Sequence, residues 1–225
     1  MAIDQHEHAA TRPGPEQVTR TEVLRASPPM FRTPTVDRVT RVHPLVPVVL
    51  FVPAIGVLFA LALGRGLGVG TVLLLAFAGW AFWGLVEYWV HRIVFHIEPE
   101  QGFGARLHWM VHGVHHDHPN DPLRLVMPPA VSVPGNALFV LAFVALFGLG
   151  SGLAVGVGFV TGYLVYDVIH HALHHHRPRT RLGRRMRELH MRHHFQDDTR
   201  GYGISAPWWD RVFGTAPERP GARPR

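Results

Sequence analysis

The stretch His108–His118, HWMVHGVHHDH, holds a dense run of metal-binding side chains. Read as an α-helix, it sets His112, His115 and His116 at i, i+3 and i+4. Three imidazoles then leave one face within about 100° of arc and could hold a metal ion. The same spacing recurs at His190, His193 and His194 in LHMRHHF, and YDVIHHALHHH places His170 and His174 one turn apart. EYWVHRIVFH adds His91 and His96. Five residues amount to about 140° around an α-helix, so this last pair is expected to serve two different ions.

Of eighteen histidines, all but His6, His8 and His43 lie between His91 and His194. Clusters of ligand spacing are a strong metal signature where single histidines are a weak one. A tag-like tract does not explain them, because His174–His176 sits inside an apolar pattern. Ten histidines of good geometry (His91, His96, His112, His115, His116, His170, His174, His190, His193 and His194) are too many for one ion. They suffice for two ions with about five ligands each, leaving positions for oxygen or water. Imidazole suits iron, zinc, copper and nickel, so ligand type does not name the metal.

Ligand histidines usually donate their second nitrogen to an outer acceptor. Glu87, four residues before His91, Asp117, directly after His116, and Asp167, three before His170, are the candidates. His108, His118, His171, His175 and His176 exceed the ligand count and are expected beside the site, with His175 the natural substitute ligand.

These clusters need a scaffold, and composition says which kind. Hydrophobic residues make up 47% of the 225 and gather in a few long runs, so the mean hydropathy of +0.09 averages apolar spans with polar ends. Cysteine is absent, which removes disulfides, thiolate-bound zinc and iron–sulfur clusters. All 22 basic residues are arginine, and the formal net charge is +6.

Residues 1–42 are rich in Pro, Arg, Thr and Glu with no periodic apolar face, and are expected to form a disordered cytoplasmic tail. No secretory signal peptide is expected. Val46–Leu63 and Val69–Val86 are long enough to cross about 30 Å of hydrocarbon, and GRGLG joins them. The second run continues without a breaker into His91 and His96. Leu125–Leu149, with Pro128, Pro129 and Pro134 disturbing its start, and Leu153–Val165 are expected to form a second hairpin through GLGSG. Its last helix likewise runs on into His170 and His174. The short far-side loops carry one arginine and the other segments nearly all the rest, which places both termini and every histidine cluster on the cytoplasmic side.

The fold class expected is therefore an all-α integral membrane protein, with about four transmembrane helices and a cytoplasmic histidine-rich helical cap. Residues 43–215 form the membrane-embedded domain, and 216–225 a second disordered tail. RPRTRLGRRMR, at 177–187, would lie near anionic headgroups, either marking topology or recognising lipid. Nucleic acid is not an expected partner for a segment held at a membrane. Trp208, Trp209 and Phe213 in GYGISAPWWDRVFGT are expected to pack over the metal site.

HRIVFH, HGVHH, YDVIHHALHH, MRHHF and GYGISAPWWDRVFGT together resemble the fatty acid hydroxylase superfamily, the sterol desaturase-like membrane di-iron enzymes. The order of the clusters is most similar to fatty acid 2-hydroxylases. The resemblance covers roughly Leu85 to Thr215. It implies that the ten histidines bind two iron ions, with zinc as a substitute in purified protein, and that O2 is co-substrate. It implies oxygen-dependent hydroxylation of a lipid drawn from the bilayer, a fatty acyl chain attacked at its 2-position. His171 stands where the family pattern has tyrosine. No His-Pro-Gly-Gly haem motif precedes Val46, so a separate electron donor is implied, cytochrome b5-like or ferredoxin-type. The competing expectations are a desaturase or a sterol or carotenoid hydroxylase using the same site, and, in another class, a non-enzymatic metal transporter.

Overall fold

A computed structural model describes residues 18–97, 99 and 101–218. Among them there is no β-strand. Two short helices, α1 (Arg20–Arg25) and α2 (Pro34–Val39), precede a hairpin of α3 (Val46–Gly64) and α4 (Val69–Trp89). A π-helical turn, Val90–Phe95, extends α4 without a break. Then come α5 (Gly102–His108), a second π turn (Trp109–Gly113) and α6 (Val114–Asp117). The second hairpin, α7 (Pro129–Phe147) and α8 (Leu149–His175), leads to α9 (Arg181–Phe195) and α10 (Trp208–Val212).

Among the described residues four helices are long and apolar enough to span a bilayer: Val46–Gly64, Val69–Phe95, Pro129–Phe147 and Leu149–His175. α8 is the central one. Of its most apolar window 78% is buried inside the protein, against 17% for each of the others, whose outward faces are left for lipid. Small residues allow this. A Cβ on Gly158 would lie 1.6 Å from the Ala76 carbonyl oxygen and one on Gly79 2.0 Å from that of Val155, so α4 and α8 cross at backbone contact. Nearer the histidines the crossing widens and is filled by Trp83, whose ring meets Phe159, Tyr163 and Tyr166 at 5.2–5.7 Å.

The apolar runs mark the spans well, with two shifts at the second hairpin. Most of the expected linker, 148–152, is the first turn of α8, because Gly148 (φ +77°) reverses the chain by itself. α7 begins at Pro129 rather than Leu125, since proline fits a helix's first turn, where its missing N–H is not needed. Each hairpin turn is short, so α4 and α8 end at the same end of the bundle, beyond about 30 Å of hydrocarbon. At 1.5 Å per residue the 27 residues of α8 run about 40 Å.

Residues 18–42 depart from the expected disorder. They strap the histidine end of the bundle through polar contacts, to which apolar periodicity is blind. α1 is closed by a capping box between Thr19 and Glu22. The buried Asp37 carboxylate accepts from the Met30 N–H (2.6 Å) and pairs with Arg124 (3.1 Å) and Arg41 (3.0 Å). The Val42 N–H donates to Leu123 O (2.6 Å) and the Asn120 N–H to Leu24 O (2.9 Å). Residues 1–17 and 219–225, with His6 and His8, lie outside the described residues, so the terminal tails are described only in part.

Candidate metal centre

All ten predicted ligand histidines meet at this end of the bundle, in two groups of five. His91, His96, His112, His116 and His193 form one, and His115, His170, His174, His190 and His194 the other. Within each group one ring nitrogen from every member lies within 4.8 Å of the rest. The groups adjoin, with the His116 and His194 rings 4.3 Å apart.

The chain reaches this arrangement by splitting its motifs. His112 and His116 enter the first group while His115 enters the second, and His193 separates in the same way from His190 and His194. Positions i and i+4 stack over one another, and the i+3 residue diverges enough to face the neighbouring group. The triple spacing is thus a device for serving two sites from one helix.

His91 and His96 correct an expectation. They share the first group, with ring centroids 5.0 Å apart and Nε2 atoms 3.2 Å apart. The reason is the π turn at Val90–Phe95. Its i→i+5 bonding widens the turn beyond the 3.6 residues of an α-helix, so a spacing that points 140° away on an α-helix comes back much nearer the same side. His112 lies in the second π turn.

The nitrogen spacing suits shared ions. Nε2 atoms are 3.2 Å apart for His91 and His112, 2.9 Å for His112 and His116, 3.1 Å for His115 and His170, and 2.7 Å for His174 and His190. Ligands at about 2.1 Å from one ion are about 3 Å from each other. His193 Nε2 is buried and has no hydrogen-bond partner among the described residues. Among the described residues no carboxylate belongs to either group. Burial first, then neighbouring histidines such as His193, drive His96 down to about 3 and His116 to about 2, so their lone pairs stay free of protons at neutral pH. His112, His115, His190 and His194 fall well below the usual range for the same first reason. Buried neutral imidazoles converging nitrogen to nitrogen are a donor set that fits two cations.

The outer partners are not the ones the sequence suggests. His91 Nδ1 bonds the Tyr202 carbonyl (2.7 Å) and His193 Nδ1 the Arg200 carbonyl (2.8 Å). Glu87 instead accepts from the Ser205 N–H (2.6 Å) and hydroxyl, clamping the loop that carries those carbonyls to α4. Asp210 accepts from the N–H groups of Tyr202 and Gly203, both at 2.9 Å, and from the Thr215 hydroxyl at 2.8 Å. Asp117 accepts from Trp109 Nε1 (2.9 Å) rather than from His116. Asp167 accepts from the Met127 N–H (3.3 Å) and the Tyr163 hydroxyl (3.2 Å), not from His170. His108 Nε2 bonds the Phe95 carbonyl at 2.5 Å, and Phe95 stacks on His112. His171 and His175 stack on each other at 4.5 Å outside both groups, so His175 does not replace a ligand.

Of the Gly201–Thr215 segment expected over the site, Tyr202 is there, its ring 5.4–5.9 Å from those of His91, His96 and His193, while Phe213 and Trp209 pack beside Tyr88 and Trp89 of α4 and Trp208 stays exposed. The two carbonyls are missed because main-chain oxygens have no residue signature.

A four-span helical membrane bundle capped by paired histidine clusters is a narrow structural class. The family model for fatty acid hydroxylases matches residues 74–215. A dihydroceramide fatty acyl 2-hydroxylase of Arabidopsis thaliana, FAH2, is 31% identical over 75% of this chain and 71% of its own length; its paralogue FAH1 is 33% identical with the same coverage. The ceramide very long chain fatty acid hydroxylase SCS7 of Saccharomyces cerevisiae is 32% identical over 59% of this chain and 35% of its own. A solved structure of full-length Scs7p, with only the hydroxylase domain visible, superposes with a TM-score of 0.78 at 32% identity, over 83% of this chain and 71% of that one. The chain belongs to the fatty acid hydroxylase family.

Proposed function

We propose that this protein is a di-iron lipid hydroxylase that inserts oxygen from O2 into a C–H bond of a fatty acyl chain, at the carbon next to the carboxyl group. The observation that carries the reading is the pair of adjoining five-imidazole groups at the end of a membrane bundle. Bound there, iron would supply the one-electron and oxygen chemistry that closed-shell zinc does not, and zinc recovered with purified protein is read as a substitute.

The protein's own contribution is placement. Helices α4, α8 and α9 and the His108–His118 segment bring rings from four parts of the chain to one point. The Tyr202 and Arg200 carbonyls fix two of the rings by their outer nitrogens, which also sets which nitrogen faces inward. The site lies just past the hydrocarbon, where an acyl chain can enter from the bilayer. The arginine distribution supports a cytoplasmic location. With no cysteine and only histidine-held metal, the electrons come from a separate donor, cytochrome b5-like or ferredoxin-type.

The test is lipid mass spectrometry of cells expressing the chain and its His115→Ala variant. Oxygenated acyl species gaining about 16 Da, absent in the variant, are expected. A loss of about 2 Da would make it a desaturase instead, since desaturation removes two hydrogen atoms from the acyl chain. Unchanged lipids with iron and donor supplied would overturn the reading. Metal transport is disfavoured, since transporters hold their ions near the bilayer midplane on broken helices.

A further inference from the structure

We propose that an arginine-lined groove on α9 binds the phosphate group of an anionic membrane lipid, and that lipids with phosphate-bearing headgroups are this enzyme's substrate class. The second half rests on the hydroxylase reading; the first does not.

The groove encloses about 890 Å³ and is lined by Arg177, Arg184, Arg187 and Arg192 above an apolar floor that includes Met191 and Phe195. Arg20 of α1 lies over the Phe195 ring at 6.0 Å and adds a cation at its edge. The one acid in the lining, Glu188, is already engaged by Arg185 (2.9 Å) and by Arg192, whose other N–H reaches the Glu218 carbonyl (2.7 Å). Arg184 gives one N–H to the Arg179 carbonyl (2.5 Å). Arg187 differs: its Nε is buried and, among the described residues, has no acceptor. A buried guanidinium N–H without a partner is costly unless an anion fills the place.

Depth selects the kind of anion. α8 ends at His175, about 10 Å past the hydrocarbon by its length, and Arg177 follows two residues later. That is the headgroup layer. A cationic wall over an apolar floor suits an amphiphile, and forked guanidiniums match phosphate oxygens. Arg187 also connects the groove to the chemistry. It precedes His194 by two turns on the same side of α9. Attack next to the carboxyl carbon requires the headgroup end of the lipid to lie beside the metals, and Arg187 of the groove shares a face of α9 with His190 and His194.

The test uses the full chain, loaded with iron, on phosphatidylcholine vesicles with and without phosphatidylglycerol. Native mass spectrometry reads retained lipid, and product analysis reads turnover. The wild-type protein is expected to retain phosphatidylglycerol selectively. The double variant Arg184→Gln/Arg187→Gln should lose about a hundredfold in affinity, some tenfold for each charge-assisted contact. The pair Arg179→Gln/Arg181→Gln, which removes equal charge outside the lining, should change affinity less than about threefold.

Equal losses in both pairs would reduce the effect to diffuse surface charge and overturn the site. Displacement of the lipid by millimolar inorganic phosphate would leave a phosphate site but refute its lipid assignment. Unaltered lipid retention with weakened turnover at limiting acidic electron carrier would give the groove to a protein partner instead. Arginine-dependent retention without oxygenated product from any vesicle would sustain the site while the hydroxylase reading fails. Product formed equally from both vesicles, with no selective retention, would do the reverse.

Discussion

The two histidine groups are built from the same side chain but are held differently. In the first, His91 and His193 are fixed from outside by the Tyr202 and Arg200 carbonyls, while His96 and His116 remain half-buried. In the second, four of five rings are buried, yet Nδ1 of His174, His190 and His194 has no hydrogen-bond partner among the described residues. Helix packing orients those rings, through α8, the most buried span, and α9. One group is therefore held partly by a loop and has two half-buried rings, and the other is held by packed helices and has one. Hydrogen-bonded imidazoles are better donors, so the first group should hold its ion more tightly and the second should lie nearer the apolar substrate.

The strongest way to break this contrast is to remove one ring from each side. His115→Ala and His193→Ala should each cost more than about 100-fold in product formation, beyond the 10–100-fold typical of losing an outer partner. Metal analysis separates them, because each variant should lose the ion of its own group while retaining much of the other. Simultaneous loss of both ions from either variant would mean that the groups act as one site.

A finer cut is Asp210→Asn, which touches no histidine. Asp210 holds the backbone that presents the Tyr202 carbonyl to His91. Metal affinity should fall about tenfold in the first group and stay unchanged in the second. Equal weakening of both would show that the loop supports the whole cap rather than one group.

The contrast also marks what can be read from sequence. The spans are legible because lipid demands long apolar helices, and the convergence of the histidines because imidazoles at i, i+3 and i+4 have few other uses. The sharing of His91 and His96 is not, since a π turn leaves no trace in the periodicity of HRIVFH. Glu87, Asp117 and Asp167 mislead for a related reason. Nearness along a helix says little about which acceptor a ring meets when a loop more than a hundred residues away supplies the oxygen, as Tyr202 does for His91. The strap at 18–42 escapes because one buried Asp37–Arg124 pair orders it where an apolar face would normally be needed.

That strap supports both groups alike, since it grips the segment carrying His112, His115 and His116. Asp37→Asn leaves Arg124 buried without its counter-charge and should lower the unfolding midpoint by about 5 °C or more, with both ions lost in parallel. The pH dependence carries a sign. Burial of Asp37 opposes its charge, but the Met30 and Phe31 N–H groups and the two arginines outweigh burial and hold the carboxyl below its usual value. Its contribution is complete above the ordinary carboxylate range and disappears as pH falls through the depressed value. The gap between wild type and variant should therefore be constant near neutrality and close in acid. A constant gap at all pH values would sink the charge-pair account.

The smallest effect is expected at His175. It follows His174 of the second group and by spacing alone is the natural substitute, yet its ring stacks on His171 outside both groups. Its Nε2 is buried without a partner among the described residues, so its removal breaks no hydrogen bond there. His175→Ala should leave metal content and product formation within about twofold of wild type, the usual range for substitutions away from packed or paired features. A measured loss of one ion in this variant would mean that His174 and His175 exchange roles once metal is bound, and the helix-packed group would then be as adjustable as the one held by the loop.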